Sequence, residues 1–272
     1  MRQEDKLTDV HTHLDQYAAD EMEQVLRRAD EASVRWILTV GMDLQSSANT
    51  VEIAATHERV LASVGVHPWV AAENFPYDFR EKLSSLAGED VTVAIGEVGL
   101  DFVDNVATGV TYHDNEDLRN AQEQAFQKQV QLACELGLPL NMHCRGANSA
   151  LISILKQEKA HRVGGVVHNF DGDDKAATQL LDMGFYLSFG GTMTYPTETA
   201  LREFARHVPL DGLLIETDSP YMPLYGQPED EANEPANVAQ VARTLAELRQ
   251  IDTEELINRV YTNFRRLRGN PR

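Results

Sequence analysis

Short apolar segments alternate with longer amphipathic segments along this sequence, and the alternation occurs eight times. Each short segment is nearly continuously apolar, which is typical of parallel strands that are covered on both faces. The longer segments repeat apolar residues at three- and four-residue steps, the spacing of one helix face. The predicted strands are Leu7–Val10, Trp36–Val40, Val60–Val64, Val91–Ile95, Leu138–Met142, Gly164–Val167, Phe185–Phe189 and Leu213–Ile215.

The helical segments lie between and after these strands. The clearest of them ends at Gly137, directly before Leu138-Pro139, which is a common way for a helix to terminate. Eight strands alternating strictly with helices predict a (β/α)8 TIM barrel. A doubly wound open sheet is the rival, but no Gly-x-Gly-x-x-Gly motif follows the first strand. The predicted helices are Ala19–Ala32, Ser46–Thr56, Asp78–Leu86, Leu118–Leu136, Ala147–Lys159, Asp173–Met183, Thr197–Arg206, Pro235–Arg249 and Thr253–Arg268.

The length of the chain, 272 residues, suits one barrel, since such domains typically have about 250 residues. No linker, repeat or low-complexity tract divides the sequence, so we predict a single barrel domain over residues 1–272. Two stretches, Phe102–Asp117 and Ser219–Glu234, are long for connections after a strand. Loops of that length are either functional lids or disordered insertions, and both interpretations stay open.

Charge and cysteine content limit the possible partners and locations. Lys and Arg number 24 against 43 Asp and Glu, a formal net charge of −19, which argues against a basic surface for general nucleic-acid binding. It does not exclude nucleic acid at a site whose charge is inverted by metal ions. With only Cys134 and Cys144, no signal peptide and no apolar run of about 18–20 residues, we expect a cytoplasmic protein without a membrane partner.

Histidines collect where predicted strands end. Asp9, His11 and His13 alternate at the end of the first strand, and their His-x-His pattern means little alone. Five of the nine histidines lie at such positions, the others being His67, His143 and His168. Barrel enzymes place their active sites at the carboxyl ends of the strands, so this clustering predicts a metal site.

Carboxylates complete the same set. Glu97 and Asp101 follow the fourth predicted strand, and Asp218 follows the eighth. The candidate ligands are too many for one tetrahedral zinc with an open position, and they suit two divalent ions that share a carboxylate. Glu97 is the predicted bridge, because it comes from the middle of the strand order. Ligand type does not select among Mg²⁺, Mn²⁺, Zn²⁺ and iron, and the candidates are His11, His13, Glu97, His143, His168 and Asp218.

Several motifs together resemble the TatD family of metal-dependent deoxyribonucleases, and the resemblance runs from residue 7 to residue 267. Besides the segments at strand ends, Gln122–Gln129 with Phe126, the Asn233-Glu234-Pro235 turn and Asn263-Phe264 are similar. The strand-end motifs are Asp9-Val-His11-Thr-His13, Gly65-Val-His67-Pro68, Ile95-Gly-Glu97-Val-Gly-Leu-Asp101-Phe102, Leu138-Pro-Leu-Asn-Met-His143-Cys-Arg145 and Glu216-Thr-Asp218-Ser-Pro-Tyr221.

The resemblance implies an amidohydrolase-type barrel that hydrolyses DNA phosphodiester bonds with a metal-activated water. It assigns one ion to His11, His13 and Asp218, the other to His143 and His168, and the bridge to Glu97. His67 and Arg145 would face the substrate phosphate, and a planar guanidinium matches phosphate oxygens well. Glu97 and Asp218 would be the catalytic residues, with Asp218 orienting or deprotonating the attacking water.

Three departures from the family pattern leave the substrate open. The sequence has His168-Asn169-Phe170-Asp171-Gly172 where the family commonly has His-Cys-Phe-Ser-Gly, Glu229-Asp230-Glu231 lies in a loop that is often basic, and Phe102–Asp117 is longer than usual. A carboxylate near the pocket would repel phosphate unless a cation offsets it. These departures argue against long DNA as the substrate. We expect the substrate to be DNA that is single-stranded or attacked at its ends, and we expect no obligate protein partner. The alternatives are a small-molecule amidohydrolase, lactonase or phosphoesterase, and a non-catalytic scaffold.

Two further residues have open roles in the sequence. Trp69 follows Pro68 directly, and its ring either stacks on a base or packs against the barrel rim. Glu216 precedes Asp218 by two positions, and its carboxylate either supports a metal ligand or pairs within the strand end. Both questions need the positions of neighbouring strands.

Overall fold

Eight parallel strands form one sheet in the order β1 to β8. The computed structural model describes residues 6–104, 111–112, 115–228 and 231–269. A bridge between Thr12 and Ser219 brings the two edge strands together and closes the barrel, so the predicted (β/α)8 fold is confirmed. The strands are β1 Leu7–Thr12, β2 Val34–Val40, β3 Val60–Val64, β4 Thr92–Asp101, β5 Leu140–Arg145, β6 Gly165–Val167, β7 Tyr186–Phe189 and β8 Leu213–Ile215.

Helices connect successive strands and cover the outside of the barrel. Polar residues fix several of their ends: Asp43 accepts a hydrogen bond from Ser46 N at the start of α2, and Gly137 ends α5 at φ 69°, a left-handed conformation that glycine adopts without strain. The helices are α1 Ala19–Glu31, α2 Leu44–Thr56, α3 Pro68–Asn74, α4 Phe79–Ala87, α5 Glu116–Leu136, α6 Asn148–Gln157, α7 Asp174–Asp182, α8 Thr199–His207, α9 Val238–Arg249 and α10 Thr253–Arg268.

The core lies between the sheet and the helices, and the strands are buried because both of their faces are covered. Every residue of β1, β3, β6 and β8 is buried. Two buried glutamines on α5 reach into the sheet end. Gln122 bonds to the backbone N and O of Asp101, and Gln129 bonds to those of Val66. These side chains hold the ends of two strands in place.

The expectation that Glu97 and Asp101 follow the fourth strand is wrong, because both residues lie within β4. β4 continues to Asp101 and pairs with β5 up to Arg145. The apolar pattern ends earlier than the strands because their last residues face a polar cavity while the backbone ladder continues. Gly99 permits this pairing, since at φ 142° a Cβ atom would overlap the carbonyl oxygen of His143.

Two other differences concern connections. α3 was not predicted, and it begins at Pro68 directly after His67, whose imidazole accepts a hydrogen bond from Trp69 N. Glu229 and Asp230 of the acidic loop, and residues 105–110 and 113–114 of the long connection after β4, lie outside the described residues.

In the described part of the chain, no helix has the length and apolar character needed to cross a membrane.

Candidate metal centre

Glu97 lies at the centre of the predicted ligands, and its two carboxylate oxygens face different groups of them. Oε2 is 3.6 Å from His11 Nε2 and 3.6 Å from His13 Nε2. Oε1 is 3.2 Å from His143 Nδ1 and 3.1 Å from His168 Nε2. The structure thus brings together side chains from four strands, at the carboxyl end of the barrel.

Asp218 joins His11 and His13, and we call these three residues the first half-site. Asp218 Oδ1 is 3.4 Å from His13 Nε2 and 3.8 Å from His11 Nε2. Such a group of two imidazoles and a carboxylate can hold a divalent cation. Asp218 has φ 57°, a conformation that is uncommon outside glycine and is found at functional sites where the surroundings enforce it.

The orientation of His11 fits a role as a metal ligand. Its Nδ1 lies 2.8 Å from Asn141 Oδ1, and the Asn141 amide is oriented by its own donation to Val10 O at 2.9 Å. Because that amide oxygen can only accept, Nδ1 carries the imidazole proton and Nε2 keeps a lone pair. Nε2 is buried and has no hydrogen-bond partner. An orphaned imidazole nitrogen that faces two carboxylates suits a cation.

His143 and His168 form the second half-site, and carboxylates orient both rings. His143 Nε2 is 3.1 Å from Asp101 Oδ2, and His168 Nδ1 is 3.4 Å from Glu216 Oε1. Each carboxylate favours a proton on the nitrogen that it faces, which directs the lone pair of the other nitrogen towards Glu97. Glu216 therefore orients a candidate ligand, which is the first of the two roles left open by the sequence.

Asp101 connects the second half-site to the cavity wall. Besides His143, its buried carboxylate accepts hydrogen bonds from Trp69 Nε1 at 2.9 Å and from Arg145 Nε at 3.0 and 3.1 Å. Burial alone would raise the pKa of Asp101, but His143 and Arg145 outweigh it and lower the pKa to about 2. Arg145 is thus anchored beside the centre, with its half-exposed side chain lining the cavity.

His67 also reaches the centre, but its protonation differs from that of the ligands. Its Nδ1 accepts a hydrogen bond from Trp69 N at 3.2 Å, so the proton lies on Nε2, which is 3.4 Å from Glu97 Oε1. Burial lowers the pKa of His67 to about 4, which keeps the ring neutral. Distance alone would also group His67 with Glu97 and His143, yet a protonated nitrogen donates and does not ligate.

The charges at the centre favour a cation. Burial would raise the pKa of Glu97, but the imidazoles of His67 and His11 outweigh it, and the pKa lies well below its usual range. Burial would lower the pKa of His168, but hydrogen bonds to Glu216 and Glu97 raise it well above its usual range. Carboxylates that attract a proton to an imidazole equally attract a divalent ion.

Residues away from the ligands fix the segment that carries Asp218. The Asn233 amide donates to the carbonyls of Thr217, Tyr221 and Met222 at 2.9, 2.9 and 3.0 Å. Asp9, fully buried, accepts hydrogen bonds from Thr217 N and Oγ1 at 2.9 and 2.5 Å. The sequence predicts no supporting role for Asn233 or Asn141. Asn141 is a polar residue within an apolar strand segment, which is a usable signal, whereas Asn233 lies in an acidic loop that gives none. The partners of both residues are distant in sequence.

A cavity of about 550 Å³ opens above the centre. Trp69 and Arg145 line it, and so do Tyr221, Asp171 and Glu198. The Tyr221 ring lies edge-on to His13, with 5.7 Å between centroids. The cavity therefore combines a metal-binding floor with aromatic and charged walls, an arrangement that suits hydrolysis of a polar substrate.

Known proteins are similar to this chain over nearly its whole length. A family model described as TatD related DNase matches residues 8–269. The uncharacterized metal-dependent hydrolase YcfH of Escherichia coli (strain K12) is 37% identical over 265 residues, covering 96% of this chain and 95% of YcfH. The 3'-5' ssDNA/RNA exonuclease TatD of Citrobacter rodentium (strain ICC168) is 32% identical over 251 residues, 91% of each chain.

A solved structure agrees with these relatives. The crystal structure of YjjV, a TatD homolog from Escherichia coli K12, superposes with a TM-score of 0.87 at 29% identity and covers 97% of this chain and 98% of its own. The matches extend over the strands that carry the ligand cluster. This chain therefore belongs to the TatD family of metal-dependent hydrolases, as its motifs predicted.

Proposed function

We propose that this hydrolase cleaves DNA phosphodiester bonds, from an end or on a short single strand, with two divalent ions such as Mg²⁺, Mn²⁺ or Zn²⁺. The observation that carries the proposal is the position of Glu97, whose two oxygens face separate ligand groups. A carboxylate so placed suits a bridge between two ions. Two such ions when bound would lower the pKa of a water molecule and neutralise charge on the reacting phosphate.

The chain's own residues supply the remaining functions. Asp218 Oδ1 faces His13, which leaves Oδ2 to orient the attacking water and to accept its proton. His67 carries a proton on Nε2 and can donate it in a hydrogen bond to a phosphate oxygen. Arg145, anchored through Nε by Asp101 and through Nη2 by Val103 O, lines the cavity with its half-exposed guanidinium. These groups bind and orient a phosphodiester at the centre.

The relatives support the nucleic-acid part of the proposal. The Citrobacter rodentium protein is named an exonuclease that acts on single-stranded DNA and RNA. At 32% identity over 91% of each chain, a shared reaction class is a reasonable expectation. YcfH, which is more similar, is named only as a metal-dependent hydrolase, so the substrate depends on the site.

A second candidate is hydrolysis of a small amide, ester or lactone, and one observation favours it. Among the described residues that line the cavity, Arg145 is the only lysine or arginine, whereas Asp171 and Glu198 both carry a carboxylate at its mouth. A neutral small molecule would meet no repulsion there. The metal chemistry would be the same, because metal ions polarise carbonyl and phosphoryl oxygens alike.

The test is degradation of end-labelled single- and double-stranded DNA with each ion, beside an EDTA control. We expect metal-dependent cleavage that is lost in Glu97→Gln and kept in Glu52→Gln, which removes the same charge from the outer face of α2. Cleavage that persists in Glu97→Gln would contradict the proposal. Turnover of a small ester or lactone without any nuclease activity would favour the second candidate. Absence of both metal binding and hydrolysis would favour a scaffold.

A further inference from the structure

The turn from Thr217 to Met222 carries Asp218, and the side chain of Asn233 holds both of its ends. The Asn233 amide donates to Thr217 O at 2.9 Å and to Met222 O at 3.0 Å. Asp218 and Met222 have φ angles of 57° and 51°. Such conformations are costly in residues other than glycine, and they persist only where surrounding contacts enforce them. The position of the Asp218 carboxylate therefore depends on where Asn233 lies.

Helix α1 and the turn before it fix the position of Asn233. The buried Tyr17 hydroxyl donates to Asn233 O. On α1, Arg28 donates through Nε to Glu234 Oε2 at 2.6 Å, and Arg28 Nη2 lies 2.6 Å from the same oxygen. Glu234 follows Asn233 directly, and its backbone N donates to Asn233 Oδ1 at 2.9 Å. We call the contacts of Tyr17 and Arg28 with residues 233 and 234 the α1 anchor.

The α1 anchor joins the two chain segments that carry the first half-site. Tyr17 lies four residues after His13, and Asn233 holds the turn that carries Asp218. The ligand atoms of these segments, His13 Nε2 and Asp218 Oδ1, are 3.4 Å apart. A functional site needs such positions to be kept within about 0.5 Å. Contacts that join the segments behind both ligands restrict the separations that the ligands can sample.

The second half-site is held in a different way. His143 lies in β5 and His168 follows β6, and these two strands pair directly. His168 N donates to Met142 O at 2.9 Å, so the backbone ladder of the sheet sets the separation of the two histidines. Loss of the α1 anchor should therefore affect the first half-site and leave the second unchanged.

We propose that Arg28 and Glu234 are positioning residues for the candidate ligand Asp218. Their ion pair holds Asn233, Asn233 holds the turn, and the turn holds the Asp218 carboxylate beside His13. Neither Arg28 nor Glu234 is among the described residues that line the cavity, so the ion pair acts through the contacts between them and the turn. This inference rests on the proposed function, because it concerns an ion in the first half-site.

The test breaks the ion pair and measures metal binding by calorimetric titration of the metal-free protein with Mn²⁺. In Glu234→Gln and in Arg28→Gln we expect the affinity for one of two ions to fall by about 3- to 5-fold, because a partly exposed ion pair is a weak interaction. The affinity for the other ion should stay unchanged. The double variant should lose no more than either single variant, since both substitutions remove the same pair.

A second comparison assigns the loss to the first half-site. Asp218→Asn already weakens that half-site, so adding Glu234→Gln to it should leave the affinity for the remaining ion unchanged. A general loosening of the fold would lower that affinity as well. A further decrease in the combined variant would therefore overturn the inference.

Asp30→Asn is the matched control, since it breaks another ion pair of α1. Arg59 Nη1 lies 2.5 Å from Asp30 Oδ1. Both metal affinities of this control should equal those of the wild-type protein. Wild-type affinities in Glu234→Gln and in Arg28→Gln would overturn the inference while leaving the two-ion proposal intact. No metal binding by the wild-type protein would overturn both.

Discussion

The two half-sites on either side of Glu97 are built from different parts of the barrel. The first joins β1 to the segment after β8, where the sheet closes: Asp218 N donates to His11 O at 2.9 Å and His13 N donates to Ser219 O at 2.7 Å. The second lies within the continuous sheet, where His168 N donates to Met142 O at 2.9 Å. The first half-site therefore depends on barrel closure, and the second depends on ordinary strand pairing.

The half-sites also differ in the groups that orient their imidazoles. A neutral amide, Asn141, orients His11, whereas the carboxylates of Asp101 and Glu216 orient His143 and His168. In the first half-site the carboxylate of Asp218 is itself a candidate ligand. In the second half-site the carboxylates of Asp101 and Glu216 lie behind the candidate ligands His143 and His168. Carboxylates behind a histidine increase its basicity and its affinity for a metal. The comparison teaches that similar ligand sets can respond differently to mutation.

Loss of the shared carboxylate should disrupt both half-sites and have the largest effect. In Glu97→Gln a neutral amide replaces the group that faces every ligand pair, so we expect the metal content to fall below one ion per chain. Hydrolysis should fall by about 1,000-fold or more, because several kcal/mol of metal-derived stabilisation are lost. Elemental analysis and initial rates measure this. Full metal content with unchanged activity would contradict a central role of Glu97.

Metal removal should lower the free energy of unfolding, and each half-site should contribute its own part of the loss. At free metal about 100-fold above Kd, each occupied site should add about 2.7 kcal/mol to the free energy of unfolding. We therefore expect chelation to lower the wild-type melting temperature, and Asp218→Asn to show a smaller shift because its first half-site is weakened. Thermal melts with and without metal measure both. Equal shifts in the two proteins would indicate that Asp218 does not hold an ion.

Changes behind the second half-site should weaken it selectively. Glu216→Gln or Asp101→Asn keeps the ligands but removes the charge that orients His168 or His143. We expect the affinity for one of two ions to fall by about 10- to 100-fold while the other is retained. Metal titration by calorimetry resolves the two affinities. Glu52→Gln is the control, and a uniform loss at both sites would contradict the independence of the half-sites.

Weakening barrel closure should have the smallest effect. Ser219→Ala removes the hydroxyl pair with Thr12, whose oxygens are 2.7 Å apart. We expect the free energy of unfolding to fall by about 1 kcal/mol, as for one buried hydrogen bond. Denaturant melts measure this, with exposed Ser85→Ala as a control that should change stability by less than about 0.5 kcal/mol. If Ser219→Ala lost metal affinity only at the second half-site, the dependence of the first half-site on barrel closure would be contradicted.

Much of the barrel could be predicted from periodicity, because each element has its own apolar pattern. All eight predicted strands overlap observed ones, and the (β/α)8 order is confirmed. The ends of β4 and β5 were predicted too early, since strand residues that face a polar cavity lose the apolar signal. α3 was missed because its seven residues are too few to show a helical period. One domain over residues 1–272 stays a prediction.

The candidate ligands were identifiable because histidine is uncommon in this sequence, with nine residues of 272, and because the histidines and carboxylates lie at the same end of the strands. The structure places all six around a common centre, and His67 and Arg145 beside it. Their roles in metal binding and catalysis remain proposals. The orienting groups were harder to find, since Asn141, Asp101 and Glu216 resemble ordinary polar residues until their partners are known. Asp171 stood out in the sequence, whereas Glu198 did not.

The sequence by itself determined the fold class, the family and the set of ligand-type residues. These follow from local periodicity and from residue identity, which neighbours in space do not change. Only the tertiary structure decided which oxygen of Glu97 faces which imidazole, which nitrogen of His11 and of His67 carries the proton, and which carboxylates lie behind His143 and His168. Those properties depend on distances of a few ångströms between residues far apart in the chain, because hydrogen bonds and charges act over that range.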